Sequence, residues 1–115
     1  MGQDGFRGRI DAADLEKAFE LHPNIIDVRK KSEFDSEHVV TATNIPLNQL
    51  AGMIAEFPKE EPFTLHCAGG YRSMIAASML KARGYDNFVD VRGGMTEIKK
   101  TAIPVTEYVC PTTLL

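Results

Sequence analysis

Between residues 63 and 84 the chain passes from an alternating apolar run, through a glycine turn, into a helical pattern, and this order limits what it can fold into. In Phe63-Thr64-Leu65-His66-Cys67 the alternation puts Phe63, Leu65 and Cys67 on one side of a strand and Thr64 and His66 on the other. Gly69 and Gly70 break the run. Residues 73–83 then suit a helix of about three turns, apolar on most faces and so expected to be well buried. Lys81 and Arg83 complement its C-terminal dipole, and Gly84 is placed to end it.

Short apolar runs and helical patterns alternate along the rest of the 115 residues, with no internal repeat, low-complexity tract or linker. That order argues for one α/β domain with a mostly parallel sheet. Asp11 can cap a first helix in which Leu15, Ala18 and Phe19 share a face, ended at His22-Pro23. Residues 24–28 read as a buried strand, Ser32 starts a short helical turn, and residues 43–45 form a short strand stopped by Pro46. Asn48 can cap a helix whose core face is Leu50, Met53, Ile54 and Phe57. Residues 88–91 read as a further strand, after which Gly93-Gly94 turn the chain into a last short helix stopped by Pro104. Residues 1–9 are expected to be a flexible segment, and residues 10–115 the folded domain.

Composition narrows the function classes. Hydrophobic residues at 43% and charged residues at 25% are ordinary for a globular domain. A net charge of −3 argues against a nucleic-acid partner. No apolar run approaches the roughly 20 residues that span a bilayer, and the N-terminus lacks the apolar stretch of a signal peptide. A cytoplasmic location is expected, with Cys67 and Cys110 as free thiols in a reducing compartment. The three histidines show no metal-ligand spacing, so no metal is expected.

The chemistry concentrates in residues 67–73, between the carboxyl end of a strand and the start of a helix, where open parallel sheets bind ligands. Unpaired helix-terminal N–H groups favour a thiolate there. Gly69 and Gly70 let the backbone curve and turn its N–H groups inward. Arg72 adds a fixed positive charge, and Ser73 can cap the helix or hydrogen-bond the sulfur. Ala68, Gly69, Gly70, Tyr71, Arg72 and Ser73 would thus cradle an anion beside a nucleophilic Cys67, with Tyr71 shaping access.

This loop resembles the active-site loop of the rhodanese family, in which Cys is followed by four residues and then Arg. Ile26-Asp27-Val28-Arg29 with Phe34, His38 followed by Thr43-Asn44-Ile45-Pro46-Leu47, Val91-Arg92-Gly93-Gly94 and Ile103-Pro104-Val105 resemble other segments of that family, in order, over residues 10–105. The sequence departs from the family at Glu37, where glycine is usual, at Val40-Thr41-Ala42 in place of Pro-Gly-Ala, and at Ile98, where an aromatic is common. The resemblance implies a central, mostly parallel five-stranded sheet with helices on both faces. It also implies a two-step sulfur transfer through a Cys67 persulfide, from a small-molecule donor such as thiosulfate or a persulfide to a thiol or cyanide acceptor. It requires no cofactor. A sulfur-carrying protein partner is compatible with it, and such domains also occur as tails of metallo-β-lactamase-fold proteins.

Two other functions are open. A phosphatase or arsenate reductase also uses a cysteine thiolate in an anion cradle, but four residues between Cys67 and Arg72 suit one sulfur atom better than a phosphoryl group. A non-enzymatic or regulatory module is the other, although the cysteine whose loss usually marks it is present. Asp27 and Arg29 are expected to form a buried ion pair supporting the loop. His66 and His38 are expected to be structural, and His22 a surface residue.

Overall fold

Strands apolar on both faces need cover on both sides, and residues 25–28 and 63–67 are of this kind. The computed structural model describes residues 8–19 and 24–108. Five strands, β1 (Arg9–Ile10), β2 (Ile25–Asp27), β3 (Thr43–Asn44), β4 (Phe63–His66) and β5 (Phe88–Val91), form one sheet in the order β1–β5–β4–β2–β3. Every pairing between these strands is parallel. The helices are α1 (Ala12–Ala18), α2 (Lys31–Ser36), α3 (Arg72–Ala82) and α4 (Gly94–Ile98), with a 3₁₀ segment, Leu47–Glu56, between β3 and β4.

Two cores lie on the two faces of the sheet. Ile26, Phe63, Leu65, Cys67 and Phe88 meet Ala76, Ala77 and Leu80 of α3 and Leu50 and Phe57 from the 3₁₀ segment and its end. Ile25 and Val91 meet Ala12 and Leu15 of α1 and Met95 and Ile98 of α4. Helices therefore cover both faces, as the alternation along each strand requires.

The structure corrects several local expectations. Arg9, expected in a flexible segment, lies in edge strand β1, where it pairs with Asp90 of β5. The element after β3 is 3₁₀ rather than α, with a kink at Met53 (φ −120°, ψ 21°) beside Gly52. It starts at Leu47, whose N–H donates to Val28 O at 3.0 Å, so Asn48 lies inside the element and caps nothing. Asp11 stands at the N-cap of α1 without a capping bond, because its carboxylate accepts from Arg92 instead. Helix α3 buries only the stripe Ser73, Ala76, Ala77 and Leu80. Its other face leaves Met74 and Ile75 exposed. α4 stops at Ile98, well before Pro104, because Thr101 Oγ1 takes up the Ile98 carbonyl. His22, Pro23 and Cys110 lie outside the described residues.

Two glycines can be distinguished by what surrounds them. Gly84 ends α3 in the left-handed region (φ +91°), with its N–H donating to Lys81 O and that of Tyr85 to Leu80 O. A Cβ there would meet nothing within 4 Å. Gly94 (φ +55°) opens α4 against the Cys67 loop, and a Cβ there would overlap the Cys67 carbonyl oxygen. Gly84→Ala should therefore cost about 1–2 kcal/mol, the left-handed penalty alone. Gly94→Ala should cost more in a urea melt, since backbone must also move. Equal losses would show that the close approach is not tightly packed.

Candidate active site

Strand order reverses between β2 and β4: the chain leaves β2 for the outer strand β3, and leaves β4 for β5 on the opposite side. The loops after these two strands flank the crevice where ligands of open α/β sheets bind. Cys67 follows β4 directly and is 1% exposed. Its thiol Sγ accepts a hydrogen bond from the Gly70 N–H at 3.0 Å and donates to Ser73 Oγ at 3.6 Å.

The loop carbonyls point elsewhere. Cys67 O accepts from the Met95 N–H at 2.7 Å, and Ala68 O accepts from the Thr96 N–H and the Thr96 hydroxyl at 3.1 and 3.2 Å. Gly70 O accepts from the Arg9 guanidinium. Gly70 itself sits at φ +100°, a conformation glycine adopts without strain. Gly69 is exposed, as are Tyr71 (73%) at the end of the loop and Met74 and Ile75 near the start of α3. Ser73 is fully buried in the first turn of α3 and caps no helix; its hydroxyl faces the sulfur.

Arg72 is not a free charge. Its guanidinium binds both carboxylate oxygens of Glu33, in α2, at 2.8 and 3.1 Å. The pair bridges the loops after β2 and β4. The Arg72 hydrogen bond holds the Glu33 carboxyl below its ordinary value, against partial burial, and Glu33 in turn raises Arg72. Asp27 and Arg29 form a buried bidentate pair, at 3.0 and 2.8 Å, with Arg29 also donating to Glu37 O. Register sets Asp27 beside His66, on the sheet face away from Cys67.

His66 reaches the sulfur loop only through the Cys67 carbonyl, to which Nδ1 donates at 3.1 Å. Its Nε2 is buried with no hydrogen-bond partner among the described residues, 3.7 Å from Asp27. His38 stacks on Phe34 with centroids 3.8 Å apart and bonds the Phe34 carbonyl. Among the described residues no cluster of three or more His, Cys, Asp or Glu is placed to hold a metal ion, and no helix is long and apolar enough to cross a membrane.

Three residues of the site escaped the sequence reading: Glu33, Arg9 and Asp90. Asp90 carried a signal, an acid inside the apolar run Phe88-Val89-Asp90-Val91. Glu33 and Arg9 stand where surface charges are common and carried none.

A parallel α/β sheet whose central strand runs straight into a cysteine, with the Gly70 N–H turned onto the sulfur, defines the class of the domain. The chain belongs to the rhodanese-like domain family, whose sequence model matches residues 11–101. It is 39% identical over 107 residues to the adenylyltransferase and sulfurtransferase uba4 of Ogataea parapolymorpha, covering 84% of this chain and 28% of that protein. It is 29% identical to the thiosulfate sulfurtransferase GlpE of Pseudomonas syringae, covering 84% of this chain and 90% of that protein. The rhodanese-related protein of Thermoplasma volcanium superposes with a TM-score of 0.78 at 30% identity, covering 85% of this chain and 96% of that one. The chain spans 28% of the uba4 relative and 56% of the uncharacterized protein YqhL of Bacillus subtilis, to which it is 37% identical.

Burial holds the His66 imidazole below its ordinary value of 6.5, more than Asp27 raises it. As pH falls below 6.5, the unfolded chain takes up a proton that folded His66 refuses, so stability is full above that pH and declines below it. Asp90, raised above 3.8 chiefly by burial, slopes the opposite way. Melting midpoints of wild type and His66→Gln, followed from about pH 7.5 to about pH 5, isolate the histidine. The wild type should lose up to about 1.4 kcal/mol per pH unit more than the variant. Parallel profiles would show that His66 is not the group responsible.

Proposed function

We propose that Cys67 carries sulfur as a persulfide between a sulfane-sulfur donor and a nucleophilic acceptor. The observation that carries this reading is the Gly70 N–H on Cys67 Sγ, within a loop whose Cys67, Ala68 and Gly70 carbonyls are bonded outward. With thiosulfate as donor, the Cys67 thiolate attacks the outer sulfur. The sulfur–sulfur bond of the donor breaks and sulfite leaves with the electron pair. A cyanide or thiolate acceptor then attacks the terminal sulfur and returns the Cys67 thiolate. Splitting the transfer this way is covalent catalysis, and the inward Gly70 N–H stabilises the charge on sulfur in both steps. Every bond change occurs at sulfur, so the scheme uses no cofactor or metal.

The pairing of Arg72 with Glu33 bears on the donor. A dianion must compete with Glu33 for the guanidinium, whereas a neutral persulfide need not. The exposed Tyr71, Met74 and Ile75 suit an acceptor thiol presented on a protein surface. The reading places the chain in the cytoplasm, where thiol acceptors are reduced.

Cys67→Ser should abolish both sulfur transfer and the one-sulfur adduct seen by mass spectrometry of the intact chain, while Cys110→Ser keeps both. Equal loss in the two variants would replace the single carrier by a two-thiol relay. Glu33→Gln should release Arg72 and lower KM for thiosulfate roughly 2- to 5-fold, whereas Arg72→Ala should raise it. A Glu33→Gln enzyme with unchanged KM would show that Arg72 does not meet the donor.

A further inference from the structure

The buried polar groups under the sulfur loop form a second layer that the transfer scheme above does not use. Asp90 is 1% exposed, in the strand next to β4. Its Oδ2 accepts from Arg9 Nε at 2.9 Å, and its Oδ1 has no hydrogen-bond partner among the described residues. The same arginine sends its other arm to the Gly70 carbonyl. Arg9 also packs against Gly70 so closely that a Cβ on that glycine would lie 2.8 Å from the guanidinium.

We propose that Arg9 is a positioning residue of the sulfur cradle: clamped by Asp90, it fixes the Gly70 peptide so that its N–H meets Cys67 Sγ. The inference rests on Cys67 being the sulfur carrier. It follows from the geometry of one residue. A glycine at φ +100° has no side chain to hold its peptide planes, and Gly69 before it is exposed. The hydrogen bonds of α4 restrain the Cys67 and Ala68 carbonyls, whereas Gly93 at its start packs against Gly70 without a hydrogen bond to it among the described residues. What fixes Gly70 is its own carbonyl, and the bond there comes from Arg9. A single arm would leave that long side chain free to rotate; two arms set at right places on Asp90 and Gly70 hold the guanidinium plane. Burial pushes the Asp90 carboxyl up and the Arg9 cation pulls it back, so the cation also helps keep its own anchor ionised.

The clamp acts on the sulfur through a peptide and touches no donor, so its loss should appear in turnover and not in binding. In the Cys110→Ser background, Arg9→Ala should lower kcat about 10-fold, the worth of one hydrogen bond to a charged sulfur, with KM for the donor within about 2-fold. Asp90→Asn keeps an acceptor for Arg9 and should lose less. The double variant Arg9→Ala/Asp90→Asn should stay as slow as Arg9→Ala. If instead it regains wild-type turnover, Arg9 serves only as a counter-ion for a buried carboxylate and the proposal is wrong. Arg9→Lys, which offers one ammonium for two acceptors, should fall between wild type and Arg9→Ala. The Gly70 amide proton gives a readout independent of turnover. Its NMR signal should move upfield in Arg9→Ala as the bond to sulfur lengthens, and stay near its place in Asp90→Asn. An unmoved Gly70 signal overturns the clamp whether or not the chain transfers sulfur. A wild type without a sulfur adduct on Cys67 would overturn the transfer reading, and the inference with it.

Discussion

The hydrogen bonds from the start of α4 to the carbonyls of Cys67 and Ala68 hold two parts of the molecule that neither part could hold alone. A helix of five residues is too short to persist by itself, and its first N–H groups need acceptors. The loop after β4 has carbonyls that must go somewhere if the Gly70 N–H is to face the sulfur. Each solves the other's deficit. The contact is possible because Gly93 and Gly94 both take positive φ and Gly94 has no Cβ to strike the Cys67 oxygen. Once made, it sets where β5 must end and where Met95 and Ile98 enter the core against α1.

The charges around the site are matched one for one. Arg29 is paired with Asp27, Arg72 with Glu33 and Arg9 with Asp90. The hydrogen bond donated to the sulfur therefore comes from the backbone, at Gly70, and not from a side-chain cation. Oriented N–H groups are fixed by the fold and need no reorganisation when charge develops. The three cations each face a carboxylate, and Arg9 also meets the backbone at Gly70.

Much of this was legible in the sequence. The alternation in residues 63–67 fixed β4 and the side on which Cys67 lies, because a strand's period of two leaves no choice. Gly84 and Gly93-Gly94 announced their turns, since the left-handed region excludes most other residues. What the sequence hid is of two kinds. The 3₁₀ segment shows the apolar spacing of an α-helix, because Leu50 and Phe57 must be buried in either geometry; its start is tied to Val28 through the Leu47 N–H, a tertiary contact that spacing does not reveal. Glu33 and Arg9 were invisible for a similar reason. A charged residue at a helix start or a strand edge looks like solvated surface until the partner 39 or 61 residues away is known. Helix α3 misled in the opposite direction: its small and apolar residues run round the whole circumference, yet only one stripe finds a neighbour.

The pairing of Arg9 with Asp90 spans 81 residues of chain. Contacts of that separation carry a large loop-closure entropy and are made late, after nearer strands have found one another. β2, β3 and β4 can associate while β1 is still unpaired, but the edge strand that completes the sheet waits for β5. A ribosome still short of β5 therefore exposes a cysteine strand without its outer support. That order of assembly leaves the Gly70 carbonyl without its settled Arg9 partner until the edge strand has joined β5 and the sheet is whole.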